Sequence, residues 1–276
     1  MDLPDPVLVL KGTLPPVAAA LLLVGIAGAR WLPLAMALGL AVAFALLRKE
    51  LPVLPLWLLS APDGRHGLLW GVVGVGYVSQ IEHLHALRGR VAAGTGVFAA
   101  MAAVWFVLAK RAARWEALEV LQFVGSAAAI AALLVLACRR IVARAPHHVV
   151  TAVLFSIVLS FDSVLLVVGR SGLFSQMCGA VAAALGTAAG TVLWRRSFAI
   201  GVADGTWIGG AHVLLLLAGV QLGELSWGAF WCAAVAPLPL MWLSPSLVAR
   251  PVTWLVAALL CTLPLLGLAF WFAQGI

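Results

Sequence analysis

The chain has 276 residues, 64% of them hydrophobic and only 10% charged, with a formal net charge of +7. A soluble domain carries about 25% charged residues, and disordered, collagen-like or disulfide-built chains need high polarity, a Gly-X-Y period or dense cysteine, so each of these classes is excluded. What remains is an all-α, polytopic transmembrane helix bundle, a single integral membrane domain over residues 1–276 with no soluble domain.

A helix needs about 20 apolar residues to cross about 30 Å of hydrocarbon. Stretches of about that length predict ten spans, at residues 13–29, 31–47, 67–82, 91–109, 118–138, 149–169, 172–194, 197–219, 226–248 and 251–273. Before the first, the acidic Met1-Asp2-Leu3-Pro4-Asp5 lacks the positive charge that opens a signal peptide, so no cleavage is expected. Between the second and third, Leu51-Pro52-Val53-Leu54-Pro55-Leu56-Trp57 is apolar but proline-broken and reads as a loop in the interface.

The third segment is diluted by Gly67, Gly71, Gly74 and Gly76 and runs into Ser79-Gln80-Ile81-Glu82. With ten spans, Lys and Arg divide about evenly between the two sides; if the third segment does not cross, they divide about twelve to five. The positive-inside rule therefore favours nine spans with the N-terminus cytoplasmic, whereas the apolar character of Leu68 to Ile81 favours ten. Further along, Gly179, Ala183, Gly186 and Gly190 share one helix face and predict close packing of the seventh helix on a neighbour. Trp31, Trp57, Trp115, Trp194, Trp227 and Trp271 stand near segment ends, where indoles anchor at the headgroups.

An ionised side chain at the bilayer centre costs roughly 2.5 kcal/mol or more, which singles out Asp162 and Asp204 as candidate residues of an ion path. Ser156, Ser160 and Ser163 form a hydroxyl stripe along the same helix as Asp162, suited to hydrating or coordinating a passing cation or proton. The same serines equally fit bonds back to their own helix, with Asp162 a protonated packing residue. His212, about two turns beyond Asp204, is a candidate proton relay with it. The Gly67-x-x-x-Gly71 and Gly201-x-x-x-Gly205 spacings fall at corresponding places in two five-helix halves, as interrupted helices of a transporter would.

Glu82, His83, His85, His147 and His148 fall on one side of the ten-span arrangement and are weak candidates for a metal site. Their spacing fits no strong metal motif, and a hydrated interfacial cluster explains them as well. Cys138, Cys178, Cys232 and Cys261 stand singly, which indicates neither disulfide framework nor zinc knuckle. Serine-hydrolase, zinc-protease, phosphate-loop and haem motifs are missing, so no catalytic residue and no cofactor are predicted. The cations fall in short clusters and not along a stripe, so no nucleic-acid partner is expected. The absence of Asn, the preference for Arg over Lys and the Ala/Gly/Leu/Val/Trp bias suit a bacterial inner membrane.

From His148 to about Leu243 the chain resembles uncharacterised multi-pass membrane proteins of planctomycete-type bacteria. The features that carry this are Gly169-Arg170-Ser171-Gly172, the Ala/Gly-rich Gly179 to Gly190, Arg195-Arg196, and Ala236-Pro237 ahead of Met241-Trp242. The resemblance implies a many-helix membrane fold and no particular activity. Ser160-Phe161-Asp162-Ser163 separately looks like the Ser-x-Asp-Ser/Asn element of tellurium-resistance-type and related metal exporters, without the second matching element.

The sequence is best read as a permease or carrier for a small solute or ion, with protons or cations coupled through Asp162 and Asp204. A structural or assembly subunit of a larger membrane complex is the second reading, and an intramembrane enzyme built on the histidine end the third. The expected partners are the lipid bilayer, a small solute or ion, and other membrane subunits.

Overall fold

Pro15 and Pro16 remove two N–H donors from the first helix. In the computed structural model this helix, α1 (Pro6–Ala19), widens just beyond them into a π-helical stretch, Ala20–Ala27. Gly28, at φ 105°, turns the chain into a short 3-10 segment, Ala29–Trp31, and then α2 (Leu32–Arg48). The structure describes residues 6–50, 63–84, 89–145, 147–192, 198–243 and 250–275.

Among the described residues eight further helices follow. α3 (Gly64–His83) is capped by Asp63, whose Oδ1 accepts from the Arg65 backbone N–H at 2.9 Å. Next come α4 (Gly89–Ala112) and α5 (Ala117–Arg144), the latter opened by Glu116, whose N–H donates to Glu119 Oε2 at 3.0 Å. α6 (His148–Val168), α7 (Gly172–Gly190) and α8 (Val202–Leu222) are unbroken. α9 (Trp227–Val235) is short, and α10 (Pro251–Ala273) is long again.

No strand occurs among the described residues. Among the described residues eight helices are long and apolar enough to cross a membrane, which makes this a multi-pass membrane protein; α3 and α9 are the exceptions.

α8 is the axis of the bundle. Every residue from Ala203 to Gln221 is buried, and the helix packs against α2, α3, α4, α5, α6, α7 and α9. Among the described residues the other nine helices close a ring around it: α1, α2, α3, α4, α5, α9, α10, α6, α7 and back to α1, each touching the next. Small residues make the close approaches. A Cβ at Gly205 would lie 2.7 Å from the Arg139 backbone nitrogen, and one at Gly209 would lie 2.8 Å from the Leu134 carbonyl oxygen, so α8 and α5 meet almost backbone to backbone. Gly67 and Gly71 bring α3 onto Phe106 and Ala103 of α4 in the same way. On the outside, Phe98, Leu121, Val252 and Leu260 are each more than 60% exposed, as suits side chains whose solvent is lipid.

Successive helices alternate in direction. The start of α3, the end of α4 and the end of α8 line one cavity, which places them on one face of the bundle, here the proximal face. The end of α3 meets Arg139 near the end of α5 and Asp204 at the start of α8, on the distal face. α3 therefore joins opposite faces of the bundle, as the ten-segment arrangement expects of the third segment. Because α3 is enclosed by α2, α4 and α8, it needs less hydropathy than a lipid-facing span.

The glycine-rich third and eighth segments are continuous helices, contrary to the expected interruptions. The break lies in the ninth segment, where Pro237 ends the α-helical course and a 3-10 turn, Leu238–Trp242, follows. Pro237 has no N–H for the Ala233 carbonyl, which is bonded instead by the Ala236 N–H at 3.1 Å. The Leu51–Trp57 loop, Trp194 and His85 lie outside the described residues.

Candidate functional site

Deep inside the bundle a buried carboxylate and a buried imidazole from different helices meet. Asp162 on α6 is 0% exposed and His212 on α8 is 2% exposed. Asp162 Oδ2 and His212 Nδ1 are 2.5 Å apart. His212 stands ten residues from either end of α8, or about 15 Å of helix rise, which places the pair near the middle of the bundle. The remaining carboxylate oxygen, Asp162 Oδ1, has no hydrogen-bond partner. Polar atoms buried without a partner are uncommon and costly in a low-dielectric interior.

The truncated α9 completes this centre. Nine residues rise about 14 Å, roughly half the hydrocarbon thickness, so the helix ends in mid-bundle. The Ala233 and Ala234 carbonyls at that end lie beside the His212 ring. The C-terminus of a helix carries a partial negative charge that favours a cation or a protonated imidazole. Broken helices of this kind hold coupling ions near the midplane of transporters. Cys178 on α7 reaches the same neighbourhood, its Sγ donating to the Leu159 carbonyl at 3.3 Å.

Asp204 belongs to a second, distal cluster. Its Oδ2 accepts from the Gly201 N–H at 2.6 Å, as an acid in the first turn of a helix should, and its Oδ1 lies 2.9 Å from His83 Nε2. Beside it, Arg139 of α5 holds Glu82 of α3 with two bonds, Nη1 to Oε2 at 2.5 Å and Nη2 to Oε1 at 2.9 Å. Nη1 also donates to Thr206 Oγ1 at 2.8 Å. Ser79 Oγ donates to the Ala203 carbonyl, closing the joint between α3 and α8. Three helices are thus tied at one level by paired charges.

Several residues singled out by the sequence are placed apart. His212 pairs with Asp162 and not with Asp204. The serine stripe of α6 faces α7: Ser156 Oγ donates to the Ala182 carbonyl at 2.6 Å and Ser163 Oγ to the Ser175 carbonyl at 2.8 Å. Exposed Ser160 bonds back to the Ser156 carbonyl at 2.8 Å. Gly179 and Gly186 make room for these hydroxyls, and Gly190 faces open space.

Glu82 and His83 are taken up by Arg139 and Asp204. His147 Nε2 and His148 Nδ1 are buried without hydrogen-bond partners. Among the described residues no three His, Cys, Asp or Glu side chains gather as metal ligands would. Sequence reasoning missed Arg139, Thr206 and Pro237. Only the last left a readable signal, the Pro237-Leu238-Pro239 break inside an apolar run. Comparison with known proteins finds no family, no curated protein and no solved structure that matches this chain.

Proposed function

We propose that this membrane protein is a carrier or permease for a small solute or ion, in which Asp162 and His212 hold and release the coupling proton or cation. The observation that carries the reading is the Asp162–His212 pair at the broken end of α9, enclosed within the bundle and with Asp162 Oδ1 left without a hydrogen-bond partner. Such a pair is expensive to retain in a membrane interior unless its charge state is used. A proton shared between the two groups keeps the pair neutral as imidazole and carboxylic acid. A cation drawn to the Ala233 and Ala234 carbonyls would meet the free carboxylate oxygen. The distal cluster of Arg139, Glu82, His83 and Asp204 closes one end of that route. The lack of Asn and the preference for Arg over Lys support a bacterial inner membrane as the carrier's location.

The test is electrical. Full-length protein reconstituted on a solid-supported membrane would be presented in turn with monovalent cations, divalent cations, amino acids and sugars. A solute-specific current is expected for the unaltered protein and should vanish in Asp162→Asn and His212→Gln, with both variants remaining monodisperse. No current from any of these classes, or currents that both variants retain, would rule the reading out.

A further inference from the structure

The proximal face carries a feature that the carrier reading does not use. A cavity of about 490 Å³ opens between the start of α3 and the ends of α4 and α8. Its wall holds Arg65, Lys110, Arg111 and Arg114, opposed by the single carboxylate of Asp63. Asp63 is already engaged as the cap of α3. None of the four cations forms an ion pair with another described residue. The cavity also receives the N-terminus of the twenty-residue α3, whose partial positive charge adds to theirs.

Gln221 sets this cavity apart from an ordinary belt of headgroup-level cations. It lines the cavity from the last turn of α8, is only 3% exposed, and has neither its Nε2 nor its Oε1 hydrogen-bonded. A buried primary amide with both ends open costs free energy unless a ligand or water satisfies it. Three guanidinium groups and an ammonium around an amide donor form a set that matches the several oxygens of a phosphate, since guanidinium forks bind such oxygens in pairs. The volume exceeds a bare phosphate and falls within the range of about 300–1,000 Å³ usual for small-molecule sites.

We infer that this vestibule is a binding site for a phosphate-bearing anion, with Gln221 as its buried hydrogen-bonding floor and Arg65, Lys110, Arg111 and Arg114 as its charged wall. The inference stands apart from the carrier reading and does not depend on Asp162 or His212. A phospholipid headgroup and a soluble phosphate share the chemistry that the site recognises.

The experiment uses full-length protein in detergent, stripped of lipid, with two arms. One titrates inorganic phosphate and follows binding by calorimetry. The other titrates phosphatidylglycerol, with phosphatidylcholine as the zwitterionic control, and counts bound lipid by native mass spectrometry. Saturable binding is expected in at least one arm, and the arm that responds identifies the source of the phosphate. Arg111→Gln with Arg114→Gln, both exposed and hence tolerant of change, should weaken it about tenfold or more. Gln221→Leu, which alters no charge, should weaken it to a similar degree. If Gln221→Leu does not fold, Gln221→Met takes its place.

No saturable binding in either arm overturns the proposal. So does binding that falls with the arginines yet is untouched by the Gln221 variant, because that is the behaviour of a diffuse positive surface and not of a built site.

Discussion

At the residue scale, the bundle isolates three ionisable pairs whose members come from distant parts of the chain. Arg139 and Glu82 join α5 to α3 with side chains only 10% and 14% exposed. Removing one partner leaves a nearly buried charge alone, so Arg139→Ala should destabilise the protein by roughly 3–5 kcal/mol. Glu82→Ala added to it should recover part of that loss, and thermal unfolding of the two singles and the double measures the coupling. Equal and additive losses would mean that the pair contributes nothing as a pair. Asp162, Asp204 and His212 were legible in the sequence because ionisable residues inside apolar runs are costly wherever they stand. Their partners were not legible: His83 is 121 residues from Asp204 and His212 is 50 from Asp162. No local periodicity reports contacts across such separations.

At the scale of single helices, glycine and proline divide the work. The glycines of α3 and α8 let helices touch, so Gly209→Leu should force its side chain into the Leu134 carbonyl and cost about 1–3 kcal/mol, read as lower thermal stability in detergent. Pro237 interrupts α9 beside His212. Pro237→Ala restores the N–H that would bond the Ala233 carbonyl, and is expected to leave the fold intact while impairing transport, as the recordings that test Asp162→Asn would show. Full activity in that variant would separate the helix break from the site. The sequence exposed both kinds of residue but not their assignment. Glycines suggested broken helices at the third and eighth segments because a glycine-rich run reads the same whether it bends or packs. Only the surrounding ring, which supplies the neighbours, decides that it packs.

At the scale of the whole molecule, the described helices pack around α8, and this enclosed helix carries Asp204 in its first turn, His212 at its middle and Gln221 in its last. Helix count and apolar span were readable because hydrocarbon thickness sets them directly. Which helix is central was not, since α8 is no more apolar than its neighbours and is distinguished by what surrounds it. The alternating course makes a direct prediction. Cysteines introduced at exposed Arg65 and Leu84, at opposite ends of α3, should react with a membrane-impermeant maleimide from opposite sides of the membrane. Labelling of both from one side would contradict a crossing α3.

The most direct test of the Asp162–His212 centre is to record solute uptake and lumenal pH together in sealed proteoliposomes, using the solute that gives a current or, for a cation substrate, its counter-flow. Uptake by the unaltered protein is expected to move protons or a second cation in fixed proportion, and Asp162→Asn is expected to abolish both while the protein stays folded. Solute uptake that continues unchanged in Asp162→Asn would contradict it.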